Sequence, residues 1–407
     1  MFLKRGDVSI RRQLPLVLSC LFAVLAPVIP AMMLLDSYNF RAKVSDFPEY
    51  YTAAWMVVHG EGSGLYDLGI FAARQFQLFP EMAERTVGFY LVPQAVLFVL
   101  PFCAVPKETG YIVWLVLSIC ALAGACYLLY RLLSLSPRFG LMLWSIVAVS
   151  GPAYEALRLG QISPILLLSY SASLSLIRGN RPLLAALTLL PLMAKPQLLI
   201  PACSILLGGK KYRLLAYLFV FFVVLTVVSF FLVGEQGCFN YFQHIQGNII
   251  HKEHFTPTLR DQIRMITGSD NPWITQFSYI VYGLGLSLLY LISRHRRQAT
   301  FDLLLLFAMP FALLYSPYAQ VYDWVLIIPS VAFFYKSGFA DRLPDQPVVL
   351  LFVLLSIYLM PFSVFIHYYY LNKGGVFNPF FLVGFYFFAL VLWSYLKKES
   401  DGNLPLE

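Results

Sequence analysis

KVSDFPEYYTAAWMVVHGEGSGLYD, residues 43–67, is the stretch around which the chain is organised. It follows the first long apolar run and is the first place where acidic residues gather. Asp46 and Glu49 stand three apart, with Tyr50 and Tyr51 beside them. Helical positions three and four apart share a face, so Asp46, Glu49 and Tyr50 point one way. Ala53, Ala54, Val57 and Val58 then form an apolar face, which Gly60, Gly62 and Gly64 break ahead of Leu65-Tyr66. Polar groups this dense just outside a membrane span are costly unless they do something. The stretch therefore reads as a functional segment, held over a membrane-embedded pocket by the rest of the chain.

The residues on either side set the class. The 407-residue chain is 59% hydrophobic and 12% charged, where soluble domains carry roughly 25% charged residues. Its mean hydropathy is +0.71. Apolar runs near the length of about 20 residues that a span needs recur from end to end. Such continuous runs exclude the alternating strands of a β-barrel. This pattern predicts an all-α polytopic membrane protein forming one integral membrane domain over residues 1–407. The net charge of +8 does not suggest nucleic acid, because the basic residues cluster in short loops beside apolar runs, where they set orientation. Cys20, Cys103, Cys120, Cys126 and Cys203 fall mostly within spans, without metal-ligand spacing, and read as buried apolar thiols.

Lys4, Arg5, Arg11 and Arg12 precede the run Leu14–Leu35, which lacks a clear small-x-small cleavage site. It reads as an uncleaved first span with its N-terminus in the cytoplasm. A large outer loop, 36–88, follows. Two helices are expected on it, Pro48 to His59 and Ile70 to Phe79, both lying on the membrane surface. Further runs at 89–105, 110–130, 140–157, 162–177, 183–207, 214–233, 276–293, 302–315, 321–335, 347–366 and 377–396 bring the expectation to about twelve spans. Both termini are then cytoplasmic, in keeping with Lys397-Lys398 after the last span. The basic loops at Lys210, Lys211, Arg213 and at Arg294, Arg296, Arg297 read as cytoplasmic, which makes 234–275 a second outer loop ahead of the C-terminal helices in 276–396. Sidedness over 131–181 stays open, because Pro93, Pro101, Pro191, Pro196 and Pro201 break neighbouring segments. Broken helices at membrane depth occur where they are buried or line a cavity.

Several polar residues interrupt apolar sequence. Glu155, Arg158, Gly160 and Gln161 stand between two runs. They read either as helix-end decoration or as a polar patch, with Gln161 bonding a hydroxylated ligand. Lys195 lies within LLAALTLLPLMAKPQLLIPACSILL, and Pro196 bends the helix there. A lysine at mid-membrane costs a few kcal/mol, so Lys195 either receives a phosphate or forms a buried ion pair with Asp323 or Glu155. Tyr322-Asp323 lies on the outer side, and Asp323 is either a plain N-cap or a residue that contacts a sugar or orders a loop. His244, His251 and His254 in the second outer loop lack the third ligand of a usual site and do not predict a metal. A transporter, or a non-catalytic assembly subunit, is the competing class. The long acidic first loop and the lack of an internal repeat argue against the transporter.

In this order the motifs resemble a known family. SDFPEYYTAAWMVVHGEGSGLYD is similar to the D-x-x-Y…A…G…LY opening of glycosyltransferase family 87, the polyprenol-phosphate-mannose-dependent mannosyltransferases. Gly160-Gln161, Arg178-Gly179, Lys195-Pro196, Lys210-Lys211-Tyr212-Arg213 and Ser316-Pro317…Tyr322-Asp323 continue the likeness, which covers about residues 43–330. The resemblance implies a glycosyltransferase-C fold with its active site on the outer face of a bacterial inner membrane. It implies inverting transfer of a hexose, mannose in an α-mannosyltransferase, from a polyprenyl-phosphate carrier to a glycan or glycolipid acceptor. Asp46 is then the catalytic base, with Glu49, Tyr50, Arg158, Gln161, Lys195, Tyr322 and Asp323 as substrate-binding candidates. The chemistry agrees with the residues. A carboxylate suits a hydroxyl proton lost in the transition state, and a cation such as Lys195 stabilises the departing phosphate. No metal or other cofactor is expected, and no DxD motif is present.

Overall fold

The computed structural model describes residues 45–82, 88–148, 150–246, 258–268, 271–295 and 298–336. Among these residues all regular structure is helical. The α-helices that frame the site are α1 (Phe47–Val58), α2 (Leu68–Leu78), α3 (Lys107–Leu132), α4 (Pro137–Ala148), α5 (Gly151–Arg158), α6 (Ser163–Arg178), α7 (Pro182–Leu189), α8 (Pro196–Gly208), α9 (Tyr212–Gln246), α10 (Leu259–Thr267), α11 (Pro272–His295), α12 (Gln298–Tyr315) and α13 (Ile328–Lys336). Short 3-10 turns at Gly62–Gly64, Pro93–Ala95, Leu100–Ala104, Leu190–Ala194 and Val321–Ile327 lie between them. Proline stands in the first turn of α1, α5, α6, α7 and α8, where its missing N–H costs nothing and its fixed φ suits the helix.

Among the described residues three helices are long and apolar enough to cross a membrane: Lys107–Leu132, Tyr212–Gln243 and Pro272–His295. Five shorter apolar helices accompany them: Pro93–Ala104, Pro182–Ala194, Pro196–Gly208, Phe301–Tyr315 and Val321–Phe333. The protein is thus an all-helical membrane protein among its described residues. The expected runs Leu14–Leu35, 347–366 and 377–396, and His251 and His254, lie outside those residues.

The breaks explain the short helices. At 183–207 the expected bend at Pro196 is a complete interruption. Helix α7 ends at Leu189, the Leu190–Ala194 turn tightens, and Lys195 takes a non-helical backbone (φ −131°, ψ 75°) before α8 begins. The cause is steric, since a residue preceding proline is disfavoured in the α region. The expected run 140–157 is likewise two helices, α4 and α5. The second is capped by Ser150, whose Oγ accepts the Ala153 N–H at 3.3 Å. The expected run 214–233 ends at the non-helical Gly234 (φ 76°, ψ 170°), the kink that divides α9.

Helix α6 packs on α3, and α8 packs on α11 and α12. Helices surrounded by lipid associate through close packing and polar glue rather than hydrophobic burial. On α8, Ser204 Oγ donates to the Leu286 carbonyl at 2.6 Å. From α11, Ser293 Oγ donates to Ile205 O at 2.7 Å and the Tyr282 hydroxyl to Gln197 O at 2.8 Å.

The first loop, expected to carry two surface-lying helices, packs closely on the rest of the protein, and all of helix α1 except Trp55 and Val58 is buried. Apolar side chains cover it on every side, which is why its periodicity reads weakly as amphipathic. Phe47 stands edge-on to Tyr111 at 5.4 Å, and Tyr50 tilts against Trp114 at 5.4 Å. Tyr51 meets Phe79 at 5.7 Å and donates its hydroxyl to Val105 O at 3.0 Å. Only α2 is largely exposed, burying Phe71 and Gln75. The Gly62–Gly64 turn is pressed on α9 so closely that a methyl on Gly62 would sit 2.0 Å from the Leu232 carbonyl oxygen. The loop is therefore part of the core.

Candidate active site

Asp46 immediately precedes α1, where an acidic side chain ordinarily caps a backbone N–H. Its carboxylate makes no capping bond. Pro48 has no N–H to cap, the Glu49 N–H goes to the Asp46 backbone carbonyl at 3.0 Å, and the Phe47 N–H goes to Ser45 Oγ at 3.0 Å. The half-buried Asp46 carboxylate turns to Gln161 instead, whose Nε2 donates to Oδ2 at 2.5 Å. One turn along α1, the Tyr50 hydroxyl donates to Oε1 of the same amide at 2.9 Å.

The partner comes from the turn after α5. Gly160 has φ +64°, the left-handed region that disfavours any side chain. A Cβ there would also lie 2.7 Å from Ser45 Oγ. The turn is laced to the loop by its backbone. Leu159 O accepts the Asp46 N–H at 2.7 Å and Ser45 Oγ at 3.1 Å, while Gly160 O accepts the Trp114 indole N–H at 2.8 Å.

Two residues on, Ser163 opens a second cluster. Its Oγ donates to Asp323 Oδ1 at 2.6 Å. The same oxygen receives Lys195 Nζ at 2.7 Å, with the two side chains 4% and 1% exposed. Asp323 Oδ2 accepts the Gln320 N–H at 3.1 Å, so Asp323 is the third helical residue of a capping box and not the N-cap. The Lys195 ammonium also stands 4.6 Å from the centre of the Tyr322 ring. Of the readings open for Lys195, the ion pair with Asp323 is the one observed. Glu155 is engaged by Arg158 at 2.6 Å.

Residues 159–163 thus join both clusters. The structure brings together Asp46, Tyr50 and Gln161, and through Ser163 it adds Lys195, Tyr322 and Asp323. Glu49 is buried and accepts the Tyr90 N–H at 3.2 Å. Arg158 stands at the rim with its side chain 37% exposed. Burial pushes the Tyr50 phenol well above its ordinary pKa, and the carboxylates of Glu49, Asp46 and Asp323 add to the effect. Tyr50 therefore remains a protonated donor at neutral pH. Sequence reasoning missed Ser163, Trp114 and Gln320. A tryptophan within an apolar run needs a partner for its N–H, and Ser163-Pro164 marks a helix start beside Gln161, but neither signal names the partner. Among the described residues no group of three His, Cys, Asp or Glu side chains is placed to hold a metal ion.

The half-buried carboxylate of Asp46, oriented by an amide, can accept a proton from a hydroxyl. The model of glycosyltransferase family 87 matches residues 92–317, more than half of the chain. Arg158, Gln161 and Lys195 lie within the match; Asp46, Glu49 and Tyr50 precede it, and Tyr322 and Asp323 follow it. No curated protein and no solved structure matches the chain. On the extent of the family match, this chain belongs to glycosyltransferase family 87.

Proposed function

We propose that the enzyme is an inverting hexosyltransferase that moves mannose from a polyprenyl-phosphate carrier to a hydroxyl of a glycan or glycolipid on the outer face of the membrane. The observation that carries this reading is the Asp46 carboxylate. It forgoes its cap and is held by Gln161, a residue inside the family match. In the reaction the acceptor oxygen attacks the sugar C1 from the face opposite the phosphate. The hydroxyl proton passes to Asp46, the C1–O bond to phosphate breaks, and the carrier leaves as a phosphate anion. A base placed this way contributes typically 10²–10⁴-fold.

Arg158 supports the other half of the reaction. It is a partly exposed cation within the electrostatic reach of Asp46 and suits the donor phosphate. Guanidinium offers a planar fork of donors that matches phosphate oxygens. In this reading Lys195 acts through Asp323, holding Val321–Ile327 against α6. Glu49 fixes the loop through Tyr90.

The test is transfer from polyprenyl-phosphate mannose in membranes containing the full chain. Asp46→Asn keeps size and hydrogen bonding but takes no proton, so turnover should drop by about 10²-fold or more at unchanged expression. Turnover near that of the unmodified enzyme would sink the assignment.

A further inference from the structure

We infer that Gln161 is a positioning residue for the base, clamped by Tyr50, and not a ligand of the sugar hydroxyls. The inference rests on the reading of Asp46 as the base. Both ends of the amide are already engaged within the protein, and the group is buried. Its Nε2 is used by Asp46 at 2.5 Å and its Oε1 by Tyr50 at 2.9 Å, and the side chain is 3% exposed. The orientation is determined by chemistry. An ionised carboxylate only accepts, so the NH₂ end of the amide must face Asp46. The carbonyl end then faces Tyr50, whose hydroxyl must donate. Reversing the amide would set its carbonyl against a carboxylate and an N–H against a hydroxyl that has turned to donate.

The clamp acts on the base itself, since Oδ2 of Asp46 accepts the Gln161 N–H. The chain O–H···O=C–N–H···O⁻ also polarises along its length, and a donor to the charged form favours that form. Gln161 therefore keeps the base ionised between turnovers as well as aimed. The construction is deliberate in the backbone. Pro48 offers no N–H for Asp46 to cap, the Glu49 N–H bonds the Asp46 backbone carbonyl, and the left-handed Gly160 turns Gln161 toward the loop start.

The experiment is the pH dependence of kcat and KM for polyprenyl-phosphate mannose in membranes of the full-length enzyme, with Gln161→Met, Gln161→Glu and Tyr50→Phe. Gln161→Met removes both bonds at similar length. It should lower kcat by about 10–100-fold, the loss of a hydrogen bond to a charged group, with KM nearly unchanged. The acidic limb of its kcat profile should move to higher pH. Gln161→Glu sets a second carboxyl on Asp46, and two such groups share a proton, so its limb should move further in the same direction. Tyr50→Phe leaves Gln161 in place and should give a smaller shift of the same sign, which decides the matter if the Gln161 variants do not fold. A raised KM with kcat and its pH profile unmoved makes Gln161 a substrate contact and overturns the inference. An active Asp46→Asn overturns the base itself, a separate result that these profiles cannot mimic.

Discussion

Lys195→Met offers the sharpest test of what the buried lysine is for. The substitution keeps the length of the side chain and removes its charge. Asp323 then remains 1% exposed with its counter-ion gone. Breaking one partner of a buried pair costs about 3–5 kcal/mol, because an uncompensated charge is left behind. Two donors stay on Asp323, the Ser163 hydroxyl at 2.6 Å and the Gln320 N–H at 3.1 Å. They place the expected loss near the lower end, about 3 kcal/mol. Asp323→Asn alone strands the ammonium against a neutral amide and should cost a similar amount.

The double variant Lys195→Met/Asp323→Asn removes both charges. The Asn carbonyl can keep the Gln320 N–H, and its NH₂ can donate to Ser163 Oγ. Replacing a buried pair by uncharged groups of similar volume is often neutral, so most of the loss should be recovered, with a coupling energy of about 3 kcal/mol. The assay is thermal unfolding of the purified protein in detergent, followed by tryptophan fluorescence, with sugar transfer measured on the same samples. Losses in the double variant that equal the sum of the singles would refute the pairing. Recovered stability with transfer still abolished would instead return Lys195 to the carrier phosphate.

Two further expectations bear on the architecture. Gly160→Ala meets a left-handed backbone, which costs about 1–2 kcal/mol, and sets a methyl 2.7 Å from Ser45 Oγ. Transfer should fall more than the unfolding midpoint does, because the displaced residues are neighbours of Asp46; equal falls would show a purely structural glycine. Ser63→Cys, in a background without native thiols, places an exposed thiol on the first loop. It should react with an impermeant maleimide in intact cells, and labelling only after permeabilisation would put the site on the cytoplasmic side.

How much of this was legible in the sequence follows from the range of the forces. Helices announced themselves through apolar runs; their exact starts did not, because Pro48, Pro152, Pro164, Pro182 and Pro196 stand in first turns while Pro201 and Pro310 lie inside α8 and α12. The face shared by Asp46 and Tyr50 was legible too, since it is a matter of helical spacing. What reached beyond one helix was not. Burial of α1 depends on Tyr111, Trp114 and Phe79 closing over it, and the same mixed pattern suits a helix on a lipid surface. The choice between phosphate and ion pair for Lys195 was undecidable locally because its partner lies 128 residues away. Gln161 shows why the last step needs coordinates. A glutamine beside a glycine between apolar runs advertises a polar site, but not whether its amide serves the substrate or the base. The answer depends on the Asp46 carboxylate making no cap on α1 and meeting Gln161 across 115 residues instead. Chemistry in this chain is assembled from side chains paired across more than a hundred residues, and such pairings leave no periodic trace in the sequence.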